Sequence, residues 1–393
     1  MKKTLIALGI LAALPSLACS AEVSIYGKVD VGLAFTNIDP GIDGVDSKSN
    51  LSMQSGQTAG SRVGMTGFEE LGNGNKVGFI LETGFNVDDG NLGQGKRIFG
   101  RQALLYLDGN FGNIKFGKMG ALTSGFPSTG LFGGNMSPFA VGLGEVPGHR
   151  YLYSTEDAWP MDNTITYATP KWAGWQIMLQ YSMGTNQEKG TENESSIDRY
   201  MAAGVHFDNK QTEFNFVVDS TNFASFGKQY QDGEPDDGLR FTVGVRHDLG
   251  FMKLYAGGQY FQDSRNFVQE PGQFYTGIGQ HNQPYKDVVG EIEPFLSTEN
   301  AKDGFGLNLG IDYPALGGTW KAQVGYMNAE FSCDSSKEMT RWFVSAGYWY
   351  DFSKRTTLYS GVGFMQDKLE GGDYDQFDDA NVITASLGIV HNF

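Results

Sequence analysis

The residues predict an all-β chain, a 16-stranded antiparallel transmembrane β-barrel, from three observations. A short apolar leader opens the chain, apolar residues then recur with period two in segments of about ten, and the links between segments alternate short and long.

The leader comes first. Lys2 and Lys3 precede an apolar run over residues 4–18, and Ala18, Cys19 and Ser20 offer small residues for cleavage, the pattern of a secretory signal peptide over residues 1–20. The run is shorter than the roughly 20 residues that span a bilayer. Cys19 leaves a lipoprotein alternative open, although Ser16, Leu17 and Ala18 suit lipid attachment poorly. Residues 21–393 then form a single barrel domain, and with Cys19 removed only Cys333 remains, so no internal disulfide is expected.

Composition narrows the class. The chain has 393 residues and a formal charge of −16, which becomes −18 without the two leader lysines. That sign opposes binding to nucleic acid or an anionic lipid surface. The 55 glycines follow no triplet period, and 13% aromatics is too many for a disordered chain. No later segment holds the 18 apolar residues of a membrane helix, and mean hydropathy is only −0.31. A barrel strand escapes that test because it shows lipid only every second residue.

In the first strand, over residues 23–36, Val23, Ile25, Val29, Val31, Leu33 and Phe35 share one face, opposite Ser24, Tyr26, Lys28, Asp30 and Thr36. The last strand repeats this, with Ile383, Ala385, Leu387, Ile389, His391 and Phe393 opposite Thr384, Ser386 and Asn392. Fourteen segments between them make sixteen strands. Short turns alternate with longer links near 37–59, 88–98, 120–161, 185–197, 222–237, 263–303, 332–337 and 368–380. An even count sets both termini at the short-turn rim, where the end strands can close the sheet; in lipid an open edge costs several kcal/mol per unpaired group. Tyr167, Trp172, Trp175, Phe207, Tyr313, Trp320, Tyr350 and Phe352 cluster near the short turns as an interfacial girdle. The alternative is a secreted soluble all-β protein, in which such a ring is optional.

Several stretches resemble the general diffusion porins of Gram-negative bacteria, in their neisserial and burkholderial branch. They are Val23-Ser24-Ile25-Tyr26-Gly27-Lys28-Val29-Asp30, Gly60-Ser61-Arg62-Val63-Gly64, Gly67-Phe68-Glu69-Glu70-Leu71-Gly72, Leu81-Glu82-Thr83-Gly84, Phe99-Gly100-Arg101-Gln102-Ala103 and the terminal Gly388-Ile389-Val390-His391-Asn392-Phe393. The match is dense in the first third and at both ends; over 185–340 it is mainly one of strand rhythm. The resemblance implies an outer-membrane pore for passive diffusion of small hydrophilic solutes and ions. It further implies a homotrimer, a third loop folded into the lumen as a constriction, and Phe393 as the mark for the barrel assembly machinery. Partners would then be outer-membrane lipid and lipopolysaccharide.

Alternation turns Lys28, Arg62 and Glu82 inward; the inward direction of Arg101 is implied by the resemblance, which places Lys28, Arg62 and Arg101 on the basic wall of the constriction. Glu82 would accept hydrogen bonds from the arginines. Loop 3, over 120–161, carries Phe126, Phe132, Phe139, Leu143, Tyr151 and Trp159 as anchors. It departs from its relatives in having no acid between Asp108 and Glu145, so the acidic candidates are Glu145, then Glu156 and Asp157, with Asp162 beyond. Thr66 and Thr166 stand where relatives often carry a base. With the mature charge, this predicts weak cation preference or near neutrality. The outward Gly27, Gly67 and Gly117 suit close approach of a neighbouring barrel.

Enzymatic chemistry finds no foothold. The five histidines show no metal-ligand spacing, and neither a GxSxG elbow nor a Walker loop occurs, so no cofactor or metal is expected. The acidic stretches 232–237 and 373–379 do not form an EF-hand pattern, and the long outer loop 263–303 is read as variable surface. A solute-selective channel and a structural or adhesive barrel remain alternatives.

Overall fold

A computed structural model describes residues 22–41, 43–140, 142–154, 160–225, 236–265, 301–372, 375 and 378–393. The leader, Glu156, Asp157 and most of the 263–303 loop lie outside the described residues. No described helix is long and apolar enough to cross a membrane.

One continuous antiparallel sheet contains seventeen segments. They are β1 (Glu22–Asp39), β2 (Lys48–Ser55), β3 (Arg62–Gly72), β4 (Asn75–Gly84), β5 (Gln102–Gly109), β6 (Gly112–Met119), β7 (Met161–Ala168), β8 (Trp175–Ser182) and β9 (Arg199–Asp208). There follow β10 (Thr212–Asn222), β11 (Gly238–Asp248), β12 (Lys253–Ser264), β13 (Lys302–Ala315), β14 (Gly318–Phe331), β15 (Asp334–Asp351), β16 (Thr356–Glu370) and β17 (Ala380–Asn392). They fill sixteen positions, because β2 and β3 lie end to end along the same side of β1. Val31 of β1 faces Ser55 and Lys28 faces Arg62, so residues 56–61 form a wide bulge against only Val29 and Asp30. β1 pairs with β17 on its other side, and Gly27 and Phe393 exchange backbone hydrogen bonds of 3.0 and 3.1 Å, closing the barrel.

Two links differ from the sequence reading. Residues 48–55, expected within a long link, extend the second strand upward, because Leu51 and Met53 continue the outward apolar row beside Leu33 and Phe35. Residues 332–337, also expected as a long link, shrink to a tight turn between Phe331 and Asp334 on the long-loop rim. Strict alternation of link length therefore fails there. At the opposite rim Asn73 and Gly74, at φ 53° and 79°, make the two-residue turn between β3 and β4 whose twist matches its strands.

Outward side chains carry the lipid-facing band. Trp175 packs on Phe207 with centroids 4.7 Å apart, Trp320 on Tyr348 at 4.9 Å, and Tyr350 on Phe352 at 5.3 Å, all at the short-turn rim. A second row, unanticipated, pairs Phe241 with Tyr260, Phe305 with Tyr326 and Trp342 with Phe364. On β13 and β15 the rows lie about eight residues apart, roughly 20 Å once strand tilt is included, close to the apolar band of an outer-membrane barrel.

Inside, the barrel holds a hydrophobic core. Leu122, Phe132, Met136, Tyr151 and Leu152 of the 120–160 connection are buried together with wall residues such as Val217, Met327, Phe343 and Met365. The described part of the connection, 120–140 and 142–154, thus lies within the barrel against the inward faces of the later strands.

Candidate functional site

The wall formed by β1, β3, β4 and the start of β5 gathers charge around one carboxylate. Arg101 donates from Nε to Glu82 Oε1 at 2.6 Å, Tyr26 donates its hydroxyl to Glu82 Oε2 at 2.9 Å, and Arg62 Nε stands 3.8 Å from the same oxygen. Period two explains the convergence: Tyr26 and Lys28 share the inward face of β1, and Gly64, beside Tyr26 and opposite Glu82, leaves room for the phenol ring. Lys28 lies directly across from Arg62. Like charges held this close require a counter-charge, which Glu82 supplies.

Asp30 organises the bulge. Its carboxylate accepts from the backbone N–H of Thr58 at 2.8 Å and of Ala59 at 3.2 Å, and from the Tyr359 hydroxyl across the barrel seam at 2.6 Å. The bulge turns inward, with Gln57 buried between Gly32 and loop residue Gly144, whose N–H donates to the Gln57 carbonyl at 2.6 Å.

Loop 3 runs out across the inner wall and back again. Going out, Leu122 N–H donates to Gln180 of β8 at 2.9 Å, Asn215 of β10 donates to the Leu131 carbonyl at 2.6 Å, and Asn308 of β13 to that of Met136 at 2.7 Å. Lys321 of β14 then donates to the Pro138 carbonyl at 2.8 Å, and Phe139 packs 5.6 Å from Trp349. Returning, Ser345 caps the Pro147 carbonyl at 2.6 Å and Arg341 that of Tyr151 at 2.8 Å. Wall side chains therefore satisfy the backbone of a buried irregular segment, which would otherwise be costly. Inward glycines make the bed: a Cβ at Gly204, Gly244, Gly306, Gly310, Gly325 or Gly361 would run into loop 3.

The loop's ends are tied as well. Asp162 takes Lys118 at 2.7 Å and Arg97 at 2.7 and 2.8 Å, and Arg97 also reaches Glu188 at 3.1 Å, joining the roots of loop 3 to the loops on either side. At the turning point Glu145 accepts from Gln54 Nε2 at 3.4 Å. Burial raises its carboxyl above the ordinary range, opposed by Arg150 and by Gln54. Burial, and then Arg150, push the His149 ring down to about 3, so it stays neutral. Arg150 itself lies over the Tyr151 ring at 5.2 Å and donates to the Gly144 carbonyl.

A model of Gram-negative porins matches residues 4–369. The chain belongs to the Gram-negative porin family. This porin is 32% identical over 382 residues to a major outer membrane protein P.IB of Neisseria gonorrhoeae, covering 93% of this chain and 94% of that one. It is 27% identical over full length to an outer membrane porin protein of Bordetella pertussis, and 29% identical to outer membrane porin protein 32 of Delftia acidovorans, covering 94% and 90%. Among solved structures, an anion-selective porin from Comamonas acidovorans shares the fold at a TM-score of 0.64 and 20% identity, covering 95% of this chain and all of that one. The protein is an outer-membrane channel for passive diffusion, and its relatives are channels rather than enzymes.

Of the residues singled out from sequence, the porin brings Lys28, Arg62, Arg101 and Glu82 into one patch and sets Glu145 beside the bulge next to it. Asp162 is held at the root of loop 3, Thr66 bonds the Phe79 carbonyl at 3.1 Å, and Thr166 accepts from Gln180 at 2.9 Å. Phe393 directly follows β17, its ring laid over Gly27. Gly67 is covered by the Phe79 ring, and a Cβ at Gly117 would meet the Ala103 carbonyl; these glycines make room for the chain's own atoms. Sequence reasoning passed over Tyr26, Asp30, Lys115 and Arg150 as site residues. Inward parity alone would have found the first three.

Proposed function

We propose that this porin is a near-neutral diffusion pore for small hydrophilic solutes, narrowed between loop 3 and the Lys28, Arg62, Arg101 wall. The observation that carries this reading is charge pairing. Glu82 offsets one of the two arginine charges beside it, Arg150 accompanies Glu145 on the loop, and the later strands pair Asp219 with Arg240, Asp312 with Lys321 and Asp367 with Arg341. Paired groups leave little net field for a permeating ion, despite the acidic chain as a whole. The anion selectivity named for the Comamonas acidovorans porin belongs to that protein. Glu156 and Asp157 complete the proposed acidic side of the narrowing.

The proposed assembly is a homotrimer in outer-membrane lipid and lipopolysaccharide, delivered by the barrel assembly machinery through Phe393. Planar-bilayer recordings of the refolded chain under a potassium chloride gradient test the reading. Ohmic openings that reverse close to zero, with neutral sugars excluded by size alone, are expected. A reversal potential strongly favouring either ion refutes near neutrality, saturable block by one sugar points to a solute-selective channel, and silent membranes point to a structural or adhesive barrel.

A further inference from the structure

The tip of loop 3 meets the bulge between β2 and β3 at one point. Lys321 holds the Pro138 carbonyl and Ser345 that of Pro147, and between them the chain turns back over β16, β17 and β1. Among the described residues from Phe139 to Val146, one backbone group bonds outside the loop. It is the Gly144 N–H, which donates to the Gln57 carbonyl at 2.6 Å. Gly144 takes φ 54°, and a Cβ there would stand 2.7 Å from Gln57 Oε1 and 3.2 Å from Ser386 Oγ, so the fit is made for glycine.

The place of that carbonyl is set by β1. Residues 56–61 overfill the gap left by Val29 and Asp30, so strand pairing does not fix their path. Asp30 does. Its carbonyl accepts from the Gly56 N–H at 2.8 Å, and its N–H donates to Ser61 Oγ at 3.0 Å. One carboxylate oxygen takes the Thr58 hydroxyl at 2.5 Å together with the N–H groups of Thr58 and Ala59, a cradle closed around a fully buried side chain. The other oxygen is held by Tyr359, whose ring passes over Gly388 of β17, where a Cβ would overlap its hydroxyl. These donors are neutral, and Lys28 acts on the carboxylate from beyond salt-bridge distance, so hydrogen bonds rather than an ion pair fix its place.

We propose that Asp30, backed by Tyr359, is the positioning residue of the loop 3 tip. The buried carboxylate shapes the bulge, the bulge presents Gln57, and Gln57 fixes how far Gly144 and Glu145 stand into the lumen. This rests on the reading of loop 3 as the narrowing of the pore. Packing of Leu143 on Gly361 keeps the tip near the wall, but apolar contact has no direction, whereas hydrogen bonds select one placement.

Single-channel recordings of the refolded full-length chain, well below its unfolding temperature, compare wild type with Tyr359→Phe, Asp30→Asn, the double variant and Leu143→Ala. Tyr359→Phe keeps the ring over Gly388 and removes the donor alone. It is expected to raise the fraction of time spent at a wider, noisier conductance level about tenfold, the change produced by losing one hydrogen bond to a buried charged group. Asp30→Asn should do at least as much, and the double variant should match Asp30→Asn, since both act through one carboxylate. Should Asp30→Asn refold poorly, Tyr359→Phe, smaller by one oxygen atom, supplies the reading. A lowered unfolding temperature in detergent with unchanged conductance levels would make Asp30 a support of the barrel and overturn the proposal. Wild-type levels in Tyr359→Phe and Asp30→Asn, with the wider level in Leu143→Ala, also overturn it and leave the narrowing intact. Wild-type levels in every variant overturn loop 3 as the narrowing and this inference with it.

Discussion

The wall from β8 to β17 and the wall from β1 to β6 carry the same kinds of charged residue in different settings. Arg240 and Asp219 are both almost fully buried in the first wall, 2.6 Å apart, and Arg341 joins Asp367 to the backbone of loop 3. In the second wall Arg101 and Glu82 are likewise buried, 10% and 2% exposed and 2.6 Å apart, whereas Arg62 keeps 15% of its side chain exposed and meets Glu82 at 3.8 Å. The difference lies in what covers each wall. Where loop 3 and the core exclude water, a charge must be matched and becomes structural, as Arg101 is beneath Phe126 of loop 3; Arg62, more exposed, is held less closely.

The sharpest way to break this contrast is to remove one partner on the covered side. Asp219→Ala should destabilise the barrel by about 3–5 kcal/mol because Arg240 remains buried without its carboxylate, whereas Arg62→Gln should cost about 1 kcal/mol or less. Thermal unfolding in detergent measures both, and equal losses would erase the distinction. Next in size is the loop's seat. Leu143 is fully buried against Gly361, so Leu143→Ala should weaken docking of the loop tip by about 2–5 kcal/mol. Protease nicking within 120–160 should rise along with single-channel conductance, and an intact loop at wild-type conductance would contradict the packing argument.

The pH dependence of that seat is smaller and has a definite sign. The His149 ring titrates near 3 when docked against 6.5 ordinarily, so docking loses stability as pH falls from about 6.5 towards 3 and changes no further below. Glu145 works in the opposite sense: its raised carboxyl takes up a proton more readily in the docked loop, which favours docking as pH falls. Nicking rates measured from pH 7 to 4 should therefore rise, and His149→Phe should flatten or reverse the trend. The smallest effect concerns selectivity. Glu82→Gln frees the two arginines and should shift permeability about twofold towards chloride, read from reversal potentials; no shift would mean that the open wall is as silent electrically as the covered one.

Much of this was legible in the residues. Alternation placed Tyr26, Lys28, Asp30 and Glu82 on the inward face because a strand's side-chain period is fixed at two. It also located the short-turn aromatics, since their rings stand beside turn residues. It misjudged 48–55, where polar Ser49, Asn50, Ser52 and Gln54 masked the outward Leu51 and Met53. It also misjudged 332–337, whose short polar run reads as a loop although β15 already begins at Asp334, across from Phe331. The inward glycines from Gly204 to Gly361 were present as composition, but nothing in the sequence tells which backbone approaches them.

The sequence by itself determined the class of fold and the two faces of the end strands, because these depend on local periodicity. Only the tertiary structure decided that one bulge carries Asp30 and Gln57 into contact with the seam and the loop, that loop 3 doubles back across most of the wall, and which cations keep a counter-ion. Those outcomes depend on contacts between residues tens to hundreds of positions apart, where closure of the sheet and exclusion of water, rather than neighbouring residues in the chain, select the partner.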